Sequence, residues 1–215
     1  MKLYGYFRSS ATYRVRIALN FKGLAWERAL VDLRPPASMQ HSSQFRALNP
    51  HELIPVLEDG PNVLTQSLAI IEYLDETHPQ PPLLPRTPLP RAQVRALALA
   101  IACDIHPLNN SRVLEYLRSP LGHDQATVNA WYAEWIARGL RALEQDARRL
   151  GDGRHMFGAG VTLADVCLVP QLYNARRFKC DLTPYPTLNA IGAHLESLAA
   201  FASAAPQVQP DAVTA

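Results

Sequence analysis

The chain has 215 residues, 21 Lys and Arg against 19 Asp and Glu, and 48% hydrophobic and 19% charged content. Those fractions belong to an ordinary globular protein with enough length to bury one large core or two small ones. A net charge of +2 without a concentrated basic run argues against a nucleic-acid partner, and no apolar stretch reaches the length of a membrane span.

In chain order, "MKLYGYFR" lacks the apolar h-region of a secretory signal, and "KLYGY" (residues 2–6) reads as a strand. Residues 13–22 follow as a helix with Val15, Ala18 and Leu19 on one face, closed by Gly23. "WERALVDL" (26–33) predicts a second strand, parallel to the first if that helix crosses over. "IPVLED" and "NVLTQ" predict a hairpin around Asp59-Gly60-Pro61-Asn62. A helix over 67–77 then buries Ile70, Ile71 and Leu74. The six prolines of "HPQPPLLPRTPLPR" (78–91) predict a stiff, extended connection and a domain boundary.

Beyond it the pattern is helical. Val94, Leu97, Ala98, Ile101 and Ile105 recur at helical spacing, and 128–150 is a long amphipathic stretch ending in Arg148, Arg149 and Gly151. "TLAD" (162–165) has the spacing of a capping box opening the helix "VCLVPQLYNARRF". The expected organisation is residues 1–82, a proline-rich linker over 83–90, an all-helical domain over 91–204 and a loosely held tail over 205–215. Cys103, Cys167 and Cys180 are far apart with apolar neighbours and read as core residues in a reducing cytoplasm. The scattered histidines have no metal-ligand spacing, so no metal is expected.

Three features of the first part carry chemistry. Ser9-Ser10 stands at a helix start after a strand, where unpaired N–H groups and the dipole favour an anion. Ile54-Pro55 opens a strand and is a candidate cis bond beside a backbone free to pair with a peptide. Gln66-Ser67 opens another helix and offers a second anion cradle. Singly, these read first as a cap, a turn and a cap. Together, in a βαβ–ββα frame, they describe a thioredoxin-like domain that binds a small acidic peptide.

"RSSATYRVRIALN", "ALNPHELIPVLEDG", "QSLAIIEYLDETHP", "CDIHPLNN", "TLADVCLVPQ" and "ARRFKCDLTPYP" resemble, in order, the zeta-class glutathione transferases, which include the maleylacetoacetate and maleylpyruvate isomerases. The resemblance implies an α/β thioredoxin-like N-terminal domain, an all-α C-terminal domain, a homodimer and glutathione as cofactor. It implies that Ser9 and Ser10 lie beside the glutathione sulfur, with Ser9 the better hydrogen-bond candidate. Ile54, with Pro55 cis, would pair with the cysteinyl backbone, and Gln66 and Ser67 would hold the γ-glutamyl end. Gln40 or His41 would reach the other end, with His106 and Asn110 completing the pocket; His106, preceding Pro107, equally marks a helix kink. Arg8, Arg112, Arg176 and Arg177 are the candidates for holding an acidic substrate and its enolate oxygen, Arg177 matching the family's usual arginine. Arg14 and Arg16 read instead as salt-bridge or interface residues.

Family members often have cysteine where this chain has Ala11, so no protein thiol acts at that point. The implied reaction is cis–trans isomerisation of a maleyl keto acid by reversible thiolate addition. The alternatives are a broader transferase or α-haloacid dehalogenase, and a non-catalytic glutathione-binding module.

Overall fold

Strand β1 (Lys2–Gly5) pairs parallel with β2 (Glu27–Leu30) and antiparallel with β3 (Val56–Asp59), and β3 pairs with β4 (Asn62–Thr65), giving the order β2-β1-β3-β4. The parallel pair requires a crossover, and α1 (Ser10–Phe21) supplies it. α1 ends as expected, with Gly23 at φ +64, and Gly60 at φ +57 turns the β3–β4 hairpin. This computed structural model describes residues 1–212, which divide into one unit of residues 1–82 with 197–212 and a second of residues 83–196.

In the first unit, Phe45 of the short α2 (Ser43–Leu48) packs on Val31 and Val56, with Tyr4, Leu33 and Ile54 around them. Helix α3 (Ser67–Thr77) buries Ile70, Ile71 and Leu74 as its spacing predicts. The fully buried ammonium of Lys22 closes the back of this unit. It lies 2.9 Å from the Asp75 carboxylate and donates to the carbonyls of His78 at 2.7 Å and Pro81 at 3.0 Å.

The final segment departs from expectation. Residues 205–212 do not hang loosely but fold onto the first unit after α9 (Ala199–Ala202), with Gln209 only 4% exposed. Its small polar composition hid two long-range partners: Arg28 pairs with both Gln209 and Asp211, and Arg16 donates to the carbonyl of Ala204 just before the segment.

The second unit holds α4 (Pro88–Leu99), α5 (Ser111–Arg118), α6 (Gln125–Leu150), α7 (Leu163–Arg177) and α8 (Pro186–Ser197). Helix α4 begins inside the stretch expected to be an extended linker. Pro88 and Pro90 occupy its first turn, where the missing N–H groups would have been unpaired anyway. Leu83 and Leu84 are buried, and the Leu83 carbonyl accepts from the Leu163 N–H at 2.8 Å, so 83–87 belongs to this unit. Helix α4 loosens into a π turn over Ala100–Ile105 and a 3₁₀ turn over His106–Asn109, bringing the chain to α5.

Helix α7 opens with the expected capping box. Asp165 Oδ2 accepts from the Thr162 N–H at 2.8 Å, and its Oδ1 accepts from the Met156 N–H at 2.7 Å. Gly151 serves differently than expected: its φ is −94, and a Cβ there would stand 2.1 Å from the His155 carbonyl oxygen, so close approach requires the glycine. Of the three cysteines, only Cys167 is buried; Cys103 is exposed, two residues from both buried Ile101 and buried Ile105 and so off the face they share. Gly139 of α6 faces buried Ile105, and an added Cβ would lie 2.2 Å from its Cδ1. Gly139→Ala is therefore expected to cost about 1–3 kcal/mol, read as a lowered urea midpoint at unchanged m value. No helix among the described residues is long and apolar enough to cross a membrane.

Candidate active site

Strand register decides what meets in the first unit. Tyr4 pairs with Val56, Val56 pairs with Thr65, and Gly5 pairs with Leu30. The chain therefore leaves β1, leaves β2, enters β3 and leaves β4 at one edge of the sheet. Four loops emerge there, carrying Arg8 to Ser10, Gln40-His41, Ile54-Pro55 and Gln66-Ser67. Two helices, α1 and α3, also begin there, and neither has an acidic residue in its first turn to offset its positive end.

Ser9 is the N-cap of α1, extended at φ −67, and its Oγ accepts from the Thr12 N–H at 3.2 Å. An accepting hydroxyl keeps its own proton, so Ser9 can still donate to an anion. Ser10 is buried, at 4% exposure, inside the first turn. The preceding Arg8 places its guanidinium 4.8 Å from the centre of the Phe7 ring, and no carboxylate pairs with it among the described residues. Burial raises the pKa of the neighbouring Tyr6 hydroxyl, against the lowering charges of Arg34 and Arg8.

Gln66 caps α3 at φ +68, a strained conformation for a residue other than glycine and one that marks functional loops. The pattern located this helix start; its left-handed backbone is visible only in three dimensions. Ser67 is nearly buried, and its Oγ accepts from Arg14 Nη1 at 3.4 Å, so Arg14 links α1 to the head of α3. Ile54-Pro55 is cis. Asn49 fixes the turn before it, donating to the Leu53 carbonyl at 2.6 Å and accepting from the His51 N–H at 3.1 Å.

Gln40 and His41 differ in availability. His41 Nδ1 is 3.1 Å from the Glu52 carboxylate, which also pairs with Arg46, whereas Gln40 Oε1 is buried without a hydrogen-bond partner. Arg16 is 2% exposed and donates to the carbonyls of Tyr6, Phe7 and Ala204, a role that no local pattern announces.

The second unit carries the remaining candidates. Asn110 caps α5, its Oδ1 accepting from the Arg112 N–H at 3.1 Å, and Arg112 stands exposed in the first turn. His106 opens the 3₁₀ turn directly after the π segment, a feature common at functional sites. Arg177 lies 4.9 Å over the Phe178 ring, which stacks on Tyr132 at 3.8 Å. Arg176 points elsewhere and pairs with Glu196. No group of three or more His, Cys, Asp or Glu among the described residues is placed to hold a metal ion.

A thiol tripeptide with two carboxylates fits the sheet edge. Two helix starts without first-turn acids are electrostatically suited to anions, a hydroxyl proton is available at Ser9, and a buried Gln40 oxygen lacks a donor.

Residues 3–82 match the family of glutathione S-transferase N-terminal domains, and residues 129–203 match the corresponding C-terminal domains. A probable maleylacetoacetate isomerase of Vibrio cholerae is 55% identical over 210 residues, covering 98% of this chain and 97% of its own length. The holo structure of a bacterial maleylpyruvate isomerase, a glutathione S-transferase of the zeta class, superposes with a TM-score of 0.94 at 49% identity, covering 98% of this chain and 99% of that one. A maleylacetoacetate isomerase of Methylobacterium extorquens, solved with malonate and glutathione bound, gives 0.93 at 40% identity over 99% of both chains.

Proposed function

The chain belongs to the glutathione S-transferase family, in its zeta class, and from that membership we propose that it is a glutathione-dependent cis–trans isomerase of maleyl keto acids, maleylacetoacetate or maleylpyruvate. The observation that carries this reading within the molecule is the Ser9 hydroxyl at a helix start, sharing one sheet edge with a second helix start.

Glutathione, when bound, supplies a thiolate that adds reversibly to the conjugated cis double bond, so that the carbon–carbon bond turns as a single bond and re-forms trans with no net redox change. The residues of this chain perform the rest. Ser9 donates its hydroxyl proton in a hydrogen bond at the sulfur, and the positive end of α1 favours the ionised form. Ser10 supports the same turn from within. Ile54 pairs its backbone with the cysteinyl unit beside Pro55, and the N–H groups at Gln66 and Ser67 hold the γ-glutamyl carboxylate. Gln40 serves the other end, assisted by His41.

The acidic substrate and its developing enolate oxygen call for guanidinium donors. Arg177, Arg112 and Arg8 suit this role because no carboxylate among the described residues neutralises them. Arg176 has its charge engaged by Glu196 and adds only to the surrounding field. The protein works as a homodimer in the cytoplasm, a setting compatible with its three free cysteines.

The test is loss of the maleyl chromophore for each substrate, with and without glutathione. Turnover of at least one substrate that vanishes without the tripeptide is expected. Equal rates in its absence would overturn the reading.

A further inference from the structure

We propose that the C-terminal segment is a strap on the β1–α1 loop and that Asp211 is a positioning residue for Ser9, an inference that rests on the isomerase reading above. Tyr6 and Phe7 join β1 to the site, and their backbone is held by groups distant in sequence. The Phe7 N–H donates to Asp211 Oδ2 at 2.8 Å across 204 residues of chain. The Phe7 carbonyl accepts from Arg16 Nη2 at 3.0 Å, and Arg16 Nε donates to the Ala204 carbonyl at 2.9 Å.

The other end of the strap is tied to the sheet. Arg28 of β2 pairs with Asp211 Oδ1 and donates to Gln209 Oε1. Gln209 in turn donates through Nε2 to the carbonyls of Ser203 at 2.9 Å and Ala205 at 2.8 Å, stiffening the segment from within. Tyr6, Thr12, Arg16, Arg28 and Asp211 line a small cavity of about 10 Å³, the size of one water, where the strap meets the loop.

The consequence is geometric. Phe7 stands two residues before Ser9, and Thr12 is the residue whose N–H fixes the Ser9 hydroxyl. A loop freed at Phe7 displaces the hydroxyl that holds the sulfur, and displacements near an ångström are costly in catalysis. Asp211 acts through the Phe7 amide and touches no reactant.

The experiment compares Asp211→Ala, Arg28→Gln and Asp211→Glu with the natural chain by three readouts. Hydrogen exchange at the Phe7, Ser9 and Thr12 amides is measured without glutathione. The thiol of bound glutathione is titrated by its thiolate absorbance, and kcat is separated from KM for glutathione. Asp211→Ala is expected to speed exchange at Phe7 and Ser9 and to raise the bound thiol by about one pKa unit, which lowers the thiolate fraction by about threefold where the pH lies midway between the two values and by about tenfold well below both. A matching fall in kcat at constant KM is expected. Arg28→Gln gives a smaller change in the same direction and decides the matter if Asp211→Ala does not fold, and Asp211→Glu recovers part of the loss. A lowered thermal midpoint with unchanged exchange and titration would reduce the segment to a structural tail and overturn the proposal. Failure of the natural chain to lower the thiol pKa would sink the isomerase reading instead, while the exchange measurement still decides the strap.

Discussion

Ser9→Ala is expected to lower kcat by about 10²–10³-fold, the usual cost of removing one preorganised donor from a developing or stored anion. The hydroxyl has two duties that separate experimentally. As N-cap it accepts from Thr12, and losing that bond costs about 1 kcal/mol of stability. As donor it holds the sulfur, and that loss is catalytic. Ser9→Thr keeps both duties and should retain most activity, whereas Ser9→Asn keeps a cap and loses the hydroxyl. A kcat in the asparagine variant close to that of the natural chain would show that the hydroxyl itself is dispensable, the cap sufficing or the amide Nδ2 donating in its place. Ser10→Ala should be far milder for chemistry, since Ser10 is buried within the turn. Glutathione affinity should survive in each variant because Ile54, Gln66 and Ser67 are untouched.

The largest stability effect is expected at Lys22. Lys22→Met removes a fully buried ammonium from the Asp75 carboxylate and from two carbonyls, those of His78 and Pro81. Breaking one half of a buried ion pair costs about 3–5 kcal/mol, because the remaining charge keeps its desolvation penalty and loses its compensation. The same reasoning predicts that Lys22→Met combined with Asp75→Leu recovers much of that loss. The measurement is the urea midpoint of the two single variants and the double variant. Additive losses would mean that the ammonium stabilises chiefly through the two carbonyls and not through Asp75.

How much of this could be read from the chain depends on how local each cause is. The hairpin at Gly60, helix α3 and the capping box at Thr162–Asp165 follow from residues within a few positions of one another. Ser9, Gln66 and Pro55 were legible for the same reason, as helix starts and an X-Pro bond. Arg16 and Asp211 were not: an arginine in a helix and an acid in a polar tail carry no local sign that they will hold Tyr6 and Phe7. The proline-rich stretch hid the start of α4, because first-turn prolines break no helical hydrogen bond. Gly151 misled in the same way, its role being set by a neighbouring carbonyl.

Periodicity, caps and turn residues alone thus determined the strand and helix sequence, the change from α/β to all-helical and the helix starts at Ser9 and Gln66. Only the tertiary structure decided that β1, β2, β3 and β4 deliver those starts to one edge, that Arg176 turns to Glu196 and that the last residues return to the first loop. Dihedral preferences and hydrophobic spacing act between neighbours in sequence. Register, ion pairing and strap closure act between residues tens to hundreds of positions apart, where composition carries no trace of the partner.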